Sequence, residues 1–306
     1  MVSHKSPTGA VAADASGRRD NAAGASWMIL SLVAASGMTF AVRFASADMT
    51  ASMIVFARSI GGLALALLFV AAFAGRVRPL RFTRLGRHAL RGALVGVSTQ
   101  LGFYTISVMP LAQATVLFFT APIFAALLAV PLQGERIGLR RALAIAAGFA
   151  GVLIVVRPGA VAIDLPALAA LGSSFLFALV LLMSRGLADE DGPLSAYVSS
   201  TVMTLIVTAP FAAASWSLPT AAWGWAALAA VVAFSMARNI ADLQAYRLAE
   251  ASVLAPIAYT RLVLIAVGAY LLFDETPDAY TLVGGAVIVA AALYIAHRER
   301  LARRAA

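Results

Sequence analysis

Charged and polar side chains lie inside two long apolar stretches in the carboxyl-terminal third of the chain, FSMARNIADLQAYRLAEASVLAPIAYTRLVLIAVGAYLLFDE. Arg238, Asp242 and Tyr246 follow one another at intervals of four residues, so they share one helical face, with Asn239 beside them. An ionised side chain at the centre of a bilayer costs about 2.5–3.5 kcal/mol, so such residues normally face a bundle interior or a wet cavity. We therefore predict that this stretch lines a solute pathway.

Polar residues in other apolar segments are further candidates for the same pathway. Arg58 binds a carboxylate or phosphate through its planar fork of donors, or it ties helix carbonyls or Asp48 together structurally. Gln100 and Tyr104 share a face of one segment. The predicted substrate-binding residues are Arg58, Gln100, Tyr104, Arg238, Asn239, Asp242, Tyr246, Tyr259 and Arg261.

Two of these charged residues also have structural interpretations. Arg238 and Asp242 are spaced to form an ion pair, which competes with a gating or proton-coupling role for Asp242. Arg261 either contacts substrate or pairs with Asp242 or Asp274. Arg43, near the end of its segment, is expected to extend its charge to the membrane surface.

Composition assigns the chain to the integral membrane proteins. Of 306 residues, 62% are hydrophobic and only 12% are charged, against about a quarter charged in soluble domains. Cysteine is absent, and His4, His88 and His297 fall in the tail or at segment ends, so we expect no metal site, no buried histidine relay and no cofactor. Lys5 is the only lysine, which excludes a phosphate-binding G-x-x-x-x-G-K-[ST] loop and ATP hydrolysis by this chain.

Ten apolar segments of spanning length follow a disordered tail at residues 1–25, and a basic tail at 297–306 ends the chain. Pro122 and Pro256 are expected to kink the fourth and ninth spans, and Gly92, Gly96, Gly148, Gly151, Gly284 and Gly285 to allow close helix packing. The predicted spans are 26–46, 51–74, 89–108, 111–132, 140–157, 165–185, 194–215, 223–246, 250–273 and 278–296.

Basic residues predict the orientation. Those in the connections lie on one side, among them Arg81, Arg84 and Arg87, with Arg91 just inside the third span, while the other side carries only Arg157. Because arginine and lysine favour cytoplasmic loops, both tails are predicted to be cytoplasmic, in a bacterial inner membrane. We expect a lipid bilayer as the chain's environment, and no nucleic-acid partner despite the net charge of +9.

The chain contains an internal echo. LAQATVL at 111–117 and LAEASVL at 248–254 each open an apolar span that ends in an acidic residue, Glu135 or Glu275. An odd number of spans per half would insert the halves, 26–157 and 165–296, in opposite directions, an architecture common in secondary transporters. Chance similarity between alanine-rich helices is the alternative explanation.

The order and spacing of these spans, from PLAQATVLFFTAPIFAALLAVPLQGER through AEASVLAPIAYTRLVLIAVGAYLLFDET, resemble the drug/metabolite transporter superfamily of the EamA type. The resemblance implies an all-α integral membrane fold of ten helices in two inverted five-helix repeats, cytoplasmic termini and transport of small organic metabolites without ATP. EASVLAPIAYTRL is similar to the branch of S-adenosylmethionine and riboflavin carriers. Aromatic amino acid exporters share the architecture, so the branch stays open.

The function predicted from these observations is secondary transport of a small organic metabolite by alternating access. Arg58, Arg238 and Arg261 outnumber Asp242 within the spans, which favours a substrate with an anionic or zwitterionic group, such as an amino acid or a molecule like S-adenosylmethionine. A channel and an intramembrane enzyme are the alternatives. A channel lacks a continuous polar pore here, and an enzyme lacks a catalytic set of side chains.

Overall fold

The computed structural model describes residues 20–305 apart from 74–75, 77–78, 135–137, 159–163 and 250, so Glu135 and residues 1–19 lie outside the description. The described residues form helices throughout. They are α1 (Asn21–Ala45), α2 (Ala51–Ala72), α3 (Leu85–Val108), α4 (Leu111–Phe118), α5 (Ala121–Gln133), α6 (Leu139–Val156), α7 (Leu165–Asp191), α8 (Pro193–Ala214), α9 (Ala222–Leu248), α10 (Ala251–Tyr259), α11 (Arg261–Phe273) and α12 (Ala279–Ala305).

The helix ends extend beyond the predicted spans at both termini. The Asp20 carboxylate accepts hydrogen bonds from the backbone of Ala22 and Ala23, so α1 begins at Asn21, inside the tail that was predicted to be disordered to residue 25. At the other terminus α12 continues to Ala305, through most of the predicted basic tail at 297–306.

Within the described residues, nine segments are long and apolar enough to cross a membrane, which supports an integral membrane protein. Each coincides with one of the predicted spans. The predicted third span, now α3, is not among the nine, since its first two turns carry Arg87, His88 and Arg91.

Two of the spans are broken helices. The breaks fall at Thr120, between α4 and α5, and at Thr260, between α10 and α11. Each threonine hydroxyl donates to the carbonyl three residues before it, Thr120 to Leu117 at 2.6 Å and Thr260 to Ile257 at 2.7 Å. The two predicted kinks appear as breaks close to the prolines: Pro122, which has no N–H to donate, is the second residue of α5, and Pro256 lies four residues before Thr260.

Close helix pairs build the bundle. The main contacts join α1 with α9, α3 with α7 and α8, α2 with α8, and α6 with α12. Small residues permit this: a methyl group on Gly284 would lie 2.7 Å from the Gly151 carbonyl oxygen, and Gly92 and Gly96 of α3 face Met203 and Thr204 of α8. The predicted role of these glycines in packing is confirmed.

The apolar core lies on either side of the broken helices. One buried cluster joins α1, α2, α3, α9 and α11 and includes Ile54, Phe103 and Ile265. A second joins α4, α5, α6, α7 and α12 and includes Leu117, Ile123 and Ile288. Both clusters hold the ends of α4 and α11 in place, and with them the residues next to the two breaks.

The two ends of the bundle are tied by different polar contacts. At one end, which we call the Asp191 end, the Asp191 carboxylate accepts hydrogen bonds from the Thr83 amide at 3.0 Å, the Thr83 hydroxyl at 2.9 Å and His88 Nε2 at 2.8 Å. His88 is only 2% exposed, so the expectation that no histidine is buried was wrong. At the opposite end, the Glu275 end, Glu275 pairs with Arg43 at 2.7 Å.

Replacing Gly151 by alanine tests the close packing of α6 and α12. The added methyl group would lie 2.9 Å from the Gly284 carbonyl oxygen, so we expect the free energy of unfolding to fall by about 1–3 kcal/mol, measured by thermal unfolding in detergent. Gly86→Ala is the control, since Gly86 is a helical glycine of α3 with open space around it, where an added methyl group meets no other atom. Equal effects of the two changes would contradict this packing.

Asp191→Asn tests the contacts at the Asp191 end as a function of pH. The hydrogen bond from His88, together with those from Thr83, holds the pKa of Asp191 below its ordinary value although burial opposes this. A carboxyl whose pKa is lower in the folded state stabilises the fold above its unfolded value of about 4, and this contribution is lost as the pH falls through the lower folded value. We therefore expect the stability difference between wild type and Asp191→Asn to shrink from pH 5 to about pH 3.

The control for this titration is Glu190→Gln, which removes the neighbouring exposed pair of Glu190 with Arg84. Exposed ion pairs contribute about 0–1 kcal/mol, so this change is expected to affect the melting temperature little at any of these pH values. A stability difference for Asp191→Asn that stays constant or grows on acidification would contradict the prediction.

Candidate functional site

A cluster of charged and aromatic side chains lies where α9 passes the break between α10 and α11. We call Arg238, Asp242, Tyr246, Tyr259 and Arg261 the central cluster. Arg238 Nε lies 3.5 Å from Asp242 Oδ2, and both side chains are 34% exposed. The hydroxyl of Ser31 on α1 donates to Asp242 Oδ1. The predicted pair between Arg238 and Asp242 is therefore present, and α1 holds its carboxylate in place.

Arg261 is the first residue of α11, directly after the break at Thr260. Its Nη2 donates to the Thr39 hydroxyl on α1 at 3.0 Å, while its Nε is buried with no hydrogen-bond partner among the described residues. Arg261 lies within electrostatic range of both Arg238 and Asp242. Since none of the ion pairs between described residues includes Arg261, the alternative pairs with Asp242 or Asp274 do not form, and a donor is left for a ligand.

The two tyrosines extend the central cluster toward the other half of the chain. Tyr246 lies within electrostatic range of Asp242 and Arg238, and Tyr259 within range of Tyr246. The Tyr259 ring meets the Phe119 ring edge-on, with centroids 5.0 Å apart. Phe119 ends α4 and Tyr259 ends α10, so the two helix breaks face each other at this point.

Arg58 lies in α2, close to the central cluster. Its Nε donates to the Ser235 hydroxyl on α9 at 2.9 Å, and its guanidinium carbon lies 5.5 Å from the centre of the Phe103 ring. Arg58 is within electrostatic range of Arg238. The alternative tie to Asp48 does not form, because no hydrogen bond or ion pair joins these two described residues.

Arg58 and Asn239 line a cavity of about 310 Å³, which we call the α3–α8 cavity. Its walls come from α2, α3, α7, α8 and α9. It extends to Pro193, the first residue of α8, and so reaches the Asp191 end of the bundle. The remaining lining residues are Ser59, Arg91, Val95, Thr99, Phe177, Val180, Ala196, Tyr197, Ser200, Thr201 and Thr204.

Gln100 and Tyr104 lie apart from these groups. Gln100 Nε2 donates to the Ser52 hydroxyl at 2.6 Å, and its Oε1 is buried with no partner among the described residues. Tyr104 is 37% exposed and lies on α3 nearer the Glu275 end. Neither residue lines the α3–α8 cavity, and no described contact links them to the central cluster.

At the Glu275 end, Arg43 of α1 joins α1 to α3 and to the connection between α11 and α12. Arg43 Nη1 donates to the carbonyls of Ser107 at 2.8 Å and Ile106 at 3.2 Å, and Nη2 pairs with Glu275. The second Glu275 oxygen accepts from the Leu111 amide at 2.8 Å. The expectation that Arg43 extends to the membrane surface was wrong, because α3 and the α11–α12 connection bring it three partners, the carbonyls of Ile106 and Ser107 and the carboxylate of Glu275.

Four side chains of these groups were missing from the predicted set: Ser31, Thr39, Ser235 and Arg91. The three hydroxyls carry no sequence signal, since serine and threonine are common in apolar helices as backbone-bonded residues. Arg91 had one. It follows His88 by three residues, so the two side chains share one face of α3, and in the structure this face packs against α7 and α8.

Comparison with known proteins gives consistent results. The model of the EamA-like transporter family matches residues 22–157 and again 165–296. An S-adenosylmethionine uptake transporter of Rickettsia bellii is 28% identical, with 91% of this chain and 95% of the relative covered. A riboflavin transporter of Vibrio cholerae is 28% identical, with 72% and 74% covered, and the pseudopaline exporter CntI of Pseudomonas aeruginosa is 26% identical, with 87% and 93% covered.

A crystal structure of another protein shares the fold. It matches with a TM-score of 0.61 at 20% sequence identity, over 92% of this chain and 98% of the other. The two family matches together cover most of the chain, and the helices they cover are those that carry the central cluster and both broken spans. The chain therefore belongs to the EamA-like transporter family and is an integral membrane transporter, not an enzyme.

Proposed function

We propose that the protein is a secondary carrier that moves a small organic metabolite with an anionic or zwitterionic group by alternating access. The central cluster is the observation that carries the proposal. It places Arg261, with an unpartnered buried Nε, beside the pair of Arg238 with Asp242 at the point where two broken helices meet. Half-helices that end near the midplane supply substrate sites in many secondary transporters.

The charge of the site favours an anionic group. Arg238 lies within electrostatic range of both Arg58 and Arg261. Among the described residues, Asp242 is the one carboxylate that interacts with this group of arginines. Guanidinium groups bind carboxylates through paired hydrogen bonds. Asp242 remains available to a cationic amine on the same molecule, which fits a zwitterion such as an amino acid or an S-adenosylmethionine-like compound.

Equivalent features of the two halves support an inverted repeat. Thr120 and Thr260 stand 140 positions apart in the sequence and make the same hydroxyl bond, and α5 and α11 both end at left-handed residues, Gly134 and Asp274. In an inverted repeat, α1 is equivalent to α7 and α3 to α9. The packing of α1 on α9 then has its counterpart in the packing of α7 on α3. Phe119 and Tyr259, equivalent to each other, touch at the centre.

The contacts at the two ends support one state of an alternating-access cycle. The Glu275 end is closed by Arg43 and Glu275, whereas the α3–α8 cavity reaches the Asp191 end. The basic loops place the Asp191 end in the cytoplasm under the positive-inside rule, together with both termini of a ten-span chain. This arrangement corresponds to an inward-open state, and the closed Glu275 end disfavours a channel.

The names of the relatives supply the first compounds to test. S-adenosylmethionine carries a carboxylate and an amine that suit the pair of charges described above, and riboflavin offers a planar ring for Tyr259 and Phe119. A thermal shift screen with these compounds and amino acids identifies the ligand, since a compound that binds only the folded protein raises its stability. Saturable counterflow of that compound in proteoliposomes supports a carrier, and ion conductance or chemical conversion would contradict one.

Arg261→Gln is expected to abolish saturable uptake of the identified compound. A hydrogen bond to a charged group contributes about 1.5–3 kcal/mol, so affinity should fall roughly tenfold or more, measured as binding to purified protein and as counterflow. Arg247→Gln is the matched control, because Arg247 is an exposed arginine of α9 that bonds only to Gln244 among the described residues. The proposed role fails if Arg261→Gln transports like wild type while both variants elute as folded protein.

Glu275→Gln is expected to open the Glu275 end more often. It weakens the pair with Arg43, and a loss of about 1.4 kcal/mol shifts the population of states about tenfold. Ser36→Cys reports the opening in this cysteine-free chain, because Ser36 is 4% exposed and lies on the Arg43 face of α1, about 10 Å further inside. We expect an impermeant maleimide added outside intact cells to label Ser36→Cys about tenfold faster when Glu275→Gln is present.

The control for this experiment is Asp278→Asn, which removes the exposed pair of Asp278 with Arg157 at the same end. That change should leave the labelling rate of Ser36→Cys unaltered. Equal rates for Glu275→Gln and Asp278→Asn would contradict the role of Glu275 as the closing contact.

A further inference from the structure

A second arginine lies in the α3–α8 cavity, and it was first assigned only to membrane orientation. Arg91, in the second turn of α3, lines this cavity together with Arg58. Its Nε donates to the Ser184 hydroxyl at 2.9 Å, and its Nη1 to the Ser200 hydroxyl at 2.6 Å and the Ala196 carbonyl at 3.2 Å. All three partners are neutral, so the contacts fix the guanidinium between α7 and α8 without neutralising it.

None of the described residues that line the cavity is acidic. The carboxylate at the end of α7, Asp191, is occupied by Thr83 and His88. Neither Arg58 nor Arg91 belongs to any ion pair between described residues. Two positive charges therefore face one cavity of about 310 Å³ without a counterion from the described protein, an arrangement that raises the local concentration of anions.

Among the described lining residues, the hydrogen bonds leave donors on the two arginines, on Asn239 and on the hydroxyls of Thr99 and Tyr197, and only the arginines carry a charge. The hydroxyls of Ser200, Thr201 and Thr204 donate to carbonyls of their own helix. In contrast, the hydrogen bonds of Arg91 in the described structure leave Nη2 unused, and that of Arg58 leaves both Nη atoms. The two free Nη atoms of Arg58 can donate two parallel hydrogen bonds to a carboxylate or phosphate, and Nη2 of Arg91 can add a further bond to the same anion.

We propose that the α3–α8 cavity is a second anion-binding site, in which Arg91 and Arg58 hold the anionic group of a small solute on its way between the Asp191 end and the central cluster. The proposal rests on the proposed function and adds a binding residue, Arg91, and a charge requirement to it. Continuity with the central cluster is given by Arg58, which is within electrostatic range of Arg238, and by Asn239, which neighbours Arg238 on α9.

Charge-selective cysteine labelling tests this site without knowledge of the substrate. Val95 lines the cavity one turn after Arg91, and the chain has no native cysteine, so Val95→Cys is a clean reporter. We measure its reaction rates with the anionic sulfonatoethyl and the cationic trimethylammonioethyl methanethiosulfonates, each divided by the rate with a free thiol in solution. The anionic reagent is expected to react about tenfold faster than the cationic one.

Neutralising one arginine at a time separates this site from general surface charge. Arg91→Gln on the Val95→Cys background should reduce the anion preference several-fold. Arg87→Gln, which removes an exposed arginine one turn earlier on the same helix, should leave it unchanged, and Arg91→Lys should retain most of it. Arg91→Gln removes three hydrogen bonds and can fail to fold. In that case the test is the ratio of the two labelling rates of Val95→Cys with both arginines present, and a protein without a preference for the anionic reagent overturns the proposal.

Protection by inorganic phosphate identifies the source of the anion. In nanodiscs of phosphatidylcholine, phosphate should slow the reaction of Val95→Cys with the neutral methyl methanethiosulfonate, and less so with Arg91→Gln. If phosphate has no effect and the reaction slows only when phosphatidylglycerol is added to the nanodiscs, the cavity holds a lipid headgroup. That result would overturn a solute site. An Arg91→Gln variant that is less stable but keeps the full anion preference and protection would show that Arg91 only ties helices together.

The labelling result is independent of transport. A cavity without anion preference would leave the counterflow and Arg261 experiments unaffected. Conversely, a preference for the anionic reagent in a protein that shows no counterflow would support the anion site and contradict the carrier.

Discussion

The excess of arginine over acidic side chains in the interior of the bundle is the constraint on which the structure depends. Arg238 and Arg261 lie near Asp242, Arg58 lies near Arg238, and Arg91 lies further along the α3–α8 cavity without an ion pair to any described carboxylate. In hydrocarbon this arrangement would be costly, so helices must enclose the charges and leave them access to water or to a ligand. Hydroxyls of Ser31, Thr39 and Ser235 then hold the charged groups in position.

The helix breaks meet that requirement at the centre. At Thr120 and Thr260 the regular helix is interrupted, although hydrogen bonds of shorter range continue across each break. Arg261 begins the helix after one break, so its position follows directly from the interruption. The contact of Phe119 with Tyr259 keeps the two breaks together.

Rigid and separable contacts are distributed differently in the bundle. Glycine lets α6 and α12 approach until backbone atoms nearly touch, which leaves little room for sliding. At the Glu275 end, by contrast, the pair of Arg43 and Glu275 joins α1 and the α11–α12 connection to α3 and α4. The two side chains remain about one-fifth exposed. Such a pair can separate when water or substrate replaces its contacts, as a gate requires.

The sequence by itself determined the membrane class, the spans, the family resemblance and the pairing of Arg238 with Asp242. These follow from local rules: apolar length sets a span, and a spacing of four residues puts two side chains on one helical face. It also indicated the packing role of Gly151 and Gly284, since small residues in apolar helices have few other uses.

Only the tertiary structure decided what distant residues do for one another. From the sequence, Arg43 was expected at the membrane surface, but the structure pairs it with Glu275. His88 was expected at a segment end without a buried partner, but it bonds to Asp191. Arg91 was interpreted as an orientation signal, but it lines a cavity with residues of α7 and α8. The exact positions of the helix breaks, at Thr120 and Thr260, belong to the same group. Partners that far apart in the sequence leave no periodic pattern, because the contact depends on how separate helices pack and not on spacing within one of them.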